Sequence, residues 1–217
     1  MPQITAAGRA LEYQWIEGPG PALVFLHEGL GSIGQWRDFP ARVARATGCR
    51  ALVYDRYGYG NSDLLVEDRV GVDFMHREAL VFLPEILHGL KIENPILVGH
   101  SDGASIALVH AAVHPVRGVA VMAPHVFIED ICIRSIENAA RQFAATGLRE
   151  RLGKYHRDAR KTFHLWADAW LDPAFRNWSI EAYLPRIRCP VLAIQGEGDE
   201  YGTMAQLEAI QRQAGGP

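Results

Sequence analysis

The sequence predicts an α/β fold: a mostly parallel sheet with helices on both faces and an antiparallel hairpin at one edge. Three observations lead to it. Five short apolar runs, nearly continuous in Val, Leu, Ile and Ala, are spread along the 217 residues, as strands covered on both faces require. Segments with apolar residues at helical spacing separate them, and strands alternating with helices build βαβ units. Between Pro124 and Arg188 the strand rhythm stops and only helical spacing remains.

In chain order, "ITAAGRALEYQWIEG" places the alternation Leu11, Tyr13, Trp15 around a Gly-containing turn, the pattern of a hairpin. Parallel strands are expected at 22–27, 51–55, 96–99, 118–123 and 190–196. Met75, Ala79, Phe82, Leu83, Ile86 and Leu90 share one helix face. Ile106, Val109, His110 and Val113 share the face of an amphipathic helix that Pro115 ends. In the central segment, Ile128, Cys132, Ile136, Ala139, Ala140 and Phe143 recur at helical spacing, and Gly147 suits a helix end. Phe163, Trp166 and Trp170 form an aromatic stripe before Asp172-Pro173. This organisation predicts a core of residues 1–123 and 189–217, interrupted by a helical cap at 124–188 that sits above the strand ends and walls a pocket.

The formal net charge is −3, which gives no electrostatic basis for nucleic acid or an anionic membrane. The N-terminus lacks a basic segment followed by an apolar one, so no signal peptide is expected. No uncharged apolar stretch is long enough to span a bilayer. Cys49, Cys132 and Cys189 are odd in number and widely spaced, fitting neither a disulfide framework nor a zinc site. They are expected as free thiols in a reducing, cytoplasmic setting. No motif calls for a metal or cofactor.

Chemistry concentrates at Gly99-His100-Ser101-Asp102-Gly103, a G-x-S-x-G pentapeptide. A buried-type strand enters it and a helix leaves it. A nucleophilic serine needs that setting: a tight strand-to-helix turn, with glycines where bulkier residues would clash. The helix N-terminus supplies unpaired N–H groups next to the reacting centre. "FLHEGLGS" follows the first parallel strand, and Gly29 and Gly31 leave its backbone open to approach. A backbone N–H there, with that of Asp102, can hold the oxyanion of a tetrahedral intermediate.

With these motifs in place, nearly the whole chain resembles the α/β-hydrolase family. The hairpin comes first, then a His-Gly-type loop at 27–31. "YDRYGYGNSD" resembles the family's D-x-R-G-x-G-x-S segment, and the elbow at Ser101, a helical cap and "VLAIQGEGDE" follow. The resemblance implies Ser101 as nucleophile, Asp199 as the acid that orients the base, and Gly29 and Asp102 as oxyanion donors. Glu28 departs from the pattern, standing where many relatives have glycine. Leu30, His125 and Trp166 are expected to touch the substrate.

The family's triad runs Ser, acid, His, yet none of the eighteen residues after Asp199 is histidine. The expectation is a parent chain continuing with a further strand, a His-bearing loop and a last helix. His125, following the strand next to that of Ser101, is the one alternative base; otherwise it is a pocket wall or a surface loop residue. The expected activity is hydrolysis of a small-molecule carboxylic ester through a serine acyl-enzyme. The alternatives are C–C bond hydrolysis on the same fold, or a non-catalytic ligand-binding or scaffold protein. An uncovered apolar edge at 191–194 is expected to favour a homodimer.

Overall fold

The computed structural model describes residues 1–143 and 145–217. Seven strands form one sheet in the order β1-β2-β4-β3-β5-β6-β7. They are β1 Gln3–Ala6, β2 Arg9–Ile16, β3 Ala22–Leu26, β4 Arg50–Tyr54, β5 Ile96–His100, β6 Gly118–Met122 and β7 Val191–Ile194. The hairpin β1–β2 is antiparallel and so is its pairing with β4; all other pairings are parallel. Its turn places Ala7 and Gly8 at φ 48° and 72°, the left-handed pair that matches strand twist in a two-residue hairpin.

Period-2 alternation divides the inner strands between two faces. Val24, Leu26, Leu52, Tyr54, Leu97 and Val119 belong to the larger core. Leu23, Phe25, Ala51, Val53 and Val98 face the smaller one, which is capped by α1 (Ile33–Trp36) and α2 (Phe39–Thr47). The larger core receives α3 (Phe74–Arg77), α4 (Leu83–Gly89) and α5 (Asp102–Ala111), joined by the helices of the central segment. Between α3 and α4, residues Glu78–Phe82 wind as one π-helical turn, which the helical spacing of the sequence did not reveal.

Helix α5 corrects one expectation. It is not amphipathic: every residue from Asp102 to Ala111 is buried, while Val113 beyond its end is exposed. The sheet lies on one side and α3 with the π turn on the other. A helix apolar on all sides belongs inside the core.

The central segment folds as α6 (Asp130–Gln142), α7 (Leu148–Leu152), α8 (Ala159–Leu171) and two 3₁₀ turns at Pro173–Asn177 and Glu181–Arg186. A bridge between Phe127 and Ser179 closes its base. The helix α9 (Ala205–Gln213) is the last element among the described residues. All three cysteines are free; Cys49 and Cys132 are buried and Cys189 half-buried. No helix among the described residues is long and apolar enough to cross a membrane.

Among the described residues, strand β7 pairs with no strand but β6; on its outer edge only the Val191 N–H is engaged, donating to the Pro217 carbonyl at 3.1 Å. Val191 and Ala193 pack on the larger core, whereas Leu192 and Ile194 point to the other face and are 59% and 49% exposed. There they continue the row of Ala120 and Met122, their register partners on β6. Bare strand edges and contiguous apolar surface both drive association. A polypeptide of residues 1–217 is therefore expected to self-associate on size exclusion. The pair Leu192→Ser with Ile194→Ser should raise its monomer fraction; an unchanged elution profile would place the contact elsewhere.

Candidate active site

Ser101 stands between β5 and α5 with φ 52° and ψ −117°, a conformation that costs a non-glycine residue about 1–3 kcal/mol. Its surroundings enforce that strain. The Ser101 N–H donates to the Met122 carbonyl at 2.9 Å, and its own carbonyl accepts from Ala104 and Ser105 at 2.9 and 3.1 Å. The flanking glycines are required by contact. A Cβ on Gly99 would strike the Gly103 carbonyl, and one on Gly103 would strike that of Leu26. The first turn of α5 thus presses against both β3 and β5, leaving Ser101 at the strand ends, half-buried.

The loop after β3 runs beside this elbow. Gly29 is buried and Leu30 half-buried. A Cβ on Gly29 would meet the Trp166 indole, which packs directly over it from α8. Among the described residues, the N–H groups of Gly29 and Asp102 have no hydrogen-bond partner, as donors awaiting a ligand would have none. Glu28, the departure from glycine, turns its carboxylate toward His100, with Oε2 3.5 Å from Nδ1. Burial raises the Glu28 pKa, but the hydrogen bond and charge of His100 outweigh it and the net shift is downward.

Beneath the elbow lies a buried charge network. His27 Nδ1–H donates to the Glu28 carbonyl at 2.7 Å, leaving Nε2 to accept the Arg56 N–H at 3.1 Å. Burial, seconded by the Arg56 charge, holds His27 neutral. The Arg56 guanidinium donates to the Glu28 carbonyl at 2.9 Å and lies 3.7 Å from the Asp102 carboxylate. Burial pushes Asp102 up to about 6, tempered by Arg56 and by the nearby Trp170 N–H. So Asp102 has two separate jobs: its backbone faces the site and its side chain anchors Arg56.

Asp199 sits half-exposed in the loop after β7, where its carboxylate accepts the Tyr201 N–H at 2.8 Å. His125 follows β6, is 3% exposed, and lies edge-on to Trp170 with ring centroids 5.1 Å apart. Burial lowers its pKa to about 4 against the pull of Asp199 and Glu129. The fold thus brings His125 within range of the Asp199 charge. Yet no described side chain hydrogen-bonds the Ser101 hydroxyl, and His125 Nδ1 has no partner. A neutral ring with so low a pKa is a weak proton acceptor at pH 7.

Several framing residues carried no signal in the sequence. His156 accepts the Gly60 N–H at 3.0 Å and donates to the Leu30 carbonyl at 2.9 Å, tying the central segment to both loops beside the elbow. Thr162 adds a bond to the Gly58 carbonyl at 2.8 Å. Gln206, wholly buried, accepts the Val126 N–H at 2.7 Å and donates to Glu129 at 2.7 Å. Arg56 was visible only as part of the resembling segment after β4. No group of three or more metal-ligating side chains converges among the described residues.

Two outcomes follow for stability. Ser101→Gly relieves the positive-φ strain, whereas Ser101→Ala keeps it. The glycine variant is expected to unfold at higher urea than the alanine variant, by about 1 kcal/mol after glycine's extra unfolded-state entropy is counted. Equal midpoints would mean no strain is stored there. For His125 the folded pKa lies below its ordinary 6.5, so the unfolded chain binds the proton first. Stability is then lost as pH falls from 6.5 toward 4, by on the order of 3 kcal/mol. Asp102 acts in the opposite sense over part of that range. Urea unfolding at several pH values should show a smaller acid loss for His125→Gln than for the parent; identical losses would contradict it.

Comparison with known proteins places this geometry. Residues 23–217 match the model of the "Alpha/beta hydrolase family". The sn-1-specific diacylglycerol lipase ABHD11 of Xenopus tropicalis is 31% identical over 110 residues, 48% of this chain and 32% of the lipase. An epoxide hydrolase of Caballeronia sordidicola is 25% identical over 202 residues, 93% of this chain and 56% of that protein. The chain therefore spans only about a third to just over half of these relatives' lengths. Among solved structures, an enol-lactonase from Burkholderia xenovorans LB400 superposes with a TM-score of 0.75 at 20% identity, over 99% of this chain and 89% of the lactonase. An esterase from Exiguobacterium antarcticum gives 0.73 at 20% identity, over 99% and 88%. Elbow, sheet order and family match agree: the chain belongs to the α/β hydrolase family.

Proposed function

We propose that the chain carries the acyl-transfer site of a serine carboxylesterase. The observation that carries this reading is Ser101 itself, held at φ 52° on a glycine-flanked strand-to-helix turn, beside two N–H groups without partners. In the proposed reaction the Ser101 hydroxyl attacks the ester carbonyl. The Gly29 and Asp102 N–H groups hold the oxyanion, the alcohol leaves, and water releases the acid from the acyl-enzyme. Asp199 is proposed as the carboxylate that orients a base. Segment 124–188 is proposed as the cap, with Trp166, Leu30 and His125 shaping the space over Ser101 and excluding water. The diacylglycerol lipase relative and the esterase and lactonase neighbours act on esters by name, which supports this substrate class.

The absence of a hydrogen-bonded base at Ser101 favours a second reading, a ligand-binding protein on the same fold. The two separate on labelling. A fluorophosphonate probe is expected to modify Ser101 and no other residue, and Ser101→Ala to abolish both labelling and cleavage of short p-nitrophenyl esters. Cleavage that survives Ser101→Ala would remove Ser101 as nucleophile. Complete failure to label, even with imidazole added as a diffusible base, would support the binding protein.

For the 217-residue polypeptide, turnover is expected to be weak. The oxyanion hole and binding alone leave about 10³–10⁴-fold over water. Added imidazole, a diffusible base, should accelerate it in proportion to its unprotonated fraction. Rapid turnover that ignores imidazole and is lost in His125→Ala would instead make His125 the base.

A further inference from the structure

A cavity opens beneath α8, lined by residues of that helix and of the segments around α3, and Ser101 is not part of its lining. Its apolar lining comes from Tyr57, Phe74, Phe82, Leu165, Trp166 and Ala169, and it holds about 640 Å³ of empty space, part of it open to solvent. Its enclosed part is narrow, about 60 Å³. That enclosed part suits a flat ring or a single alkyl chain, with the rest of a ligand toward the open mouth.

The charges around it are unequal in their pairing. Glu67 accepts the Tyr57 hydroxyl at 2.9 Å and lies 3.7 Å from Arg9. Glu78, on the π turn, is buried and accepts the Tyr54 hydroxyl at 2.7 Å. Arg56 faces Asp102, yet its Nε, buried in the wall, has no partner. Arg69 and Arg77 also line the cavity; both are exposed, and neither forms an ion pair among the described residues. Both lining carboxylates are therefore engaged, while two guanidinium groups remain free. The Trp166 N–H is likewise unpartnered. A π turn in a lining helix is a frequent companion of functional sites.

We propose that this cavity is a binding site for a slender amphipathic carboxylate, an aryl- or alkyl-alkanoic acid. Its body lies between Trp166, Phe74 and Phe82, and its carboxylate meets Arg69 and Arg77 at the mouth. Guanidinium groups hold carboxylates through charge-assisted, often bidentate hydrogen bonds. Arg56 and Trp166 belong both to this cavity and to the elbow's surroundings, so the site lies next to the one proposed for hydrolysis. It does not depend on hydrolysis, because binding is read without turnover.

The test uses 4-phenylbutyrate and the neutral 4-phenyl-1-butanol on the full chain, each titrated by calorimetry. The acid is expected to bind one per chain, and the alcohol about tenfold more weakly for want of the charge-assisted bonds. The variant Arg69→Ala with Arg77→Ala changes only exposed side chains and should erase that preference. Raising the salt concentration should weaken the acid but not the alcohol. Ala169→Phe, if its circular dichroism matches the parent, should block both. The proposal is overturned if the acid does not bind, binds no tighter than the alcohol, keeps its preference in the double arginine variant, or still binds a folded Ala169→Phe. None of these results bears on Ser101 labelling, so the ester reading stands or falls separately.

Discussion

The contact on which the site rests is that of Gly103 against the Leu26 carbonyl. It sets how closely the first turn of α5 can approach β3. Because the approach is so close, the chain between β5 and α5 has no room to turn gently, and Ser101 takes up the bend at positive φ. The same approach carries Asp102 into the interior, 1% exposed. A carboxylate there needs a counter-charge, and Arg56 supplies it while holding the Glu28 carbonyl. One missing side chain thus fixes the conformation of Ser101, the placement of a buried ion pair and the course of the adjoining loop.

That chain of dependence explains why so much of the interior under Ser101 is polar. His27, Asp55, Arg56, Glu78 and Asp102 are all buried, where each would be costly alone. Most are tolerable because they have hydrogen-bond partners: Asp55, for instance, accepts from Ile33 and Asn61 at 2.7 and 2.9 Å, whereas the Asp102 carboxylate has only its ion pair with Arg56. Burial still raises Asp55 and Asp102 to about 6, so the network carries its charges under strain. Such networks give orientation more readily than stability, and here the oriented object is the loop that carries Gly29.

The strands and the elbow were legible because they obey local rules. A parallel strand must be apolar on both faces, and a G-x-S-x-G turn needs its glycines for contacts within a few residues. What escaped was set by tertiary surroundings. The apparent stripe on α5 suggested a solvent face, but α3 and the π turn cover the opposite side, so Ala107 and Leu108 are as buried as Ile106. His156 and Gln206 look like ordinary polar residues on helices. Their roles arise from backbone groups about 80 to 126 residues away in sequence, and no local pattern encodes such a partner. The exposed row on β7 was anticipated as an edge; in the fold it is also a face, because Leu192 and Ile194 extend the smaller core's surface.

The pairing of β6 with β7 has an evolutionary side. Met122 and Ile194 are register partners, and Phe127 bridges Ser179, so the inserted helices leave and rejoin the sheet at neighbouring points. For a loop whose ends already meet, doubling its length costs only about 0.6 kcal/mol of closure entropy. Selection can therefore lengthen, shorten or replace these helices while leaving the sheet's own folding information untouched. What a replacement must recreate is small: a tether for the two neighbouring loops, as His156 and Thr162 now provide, and a side chain to lie on Gly29. A scaffold divided in this way lets the sheet be inherited while the helices above it drift.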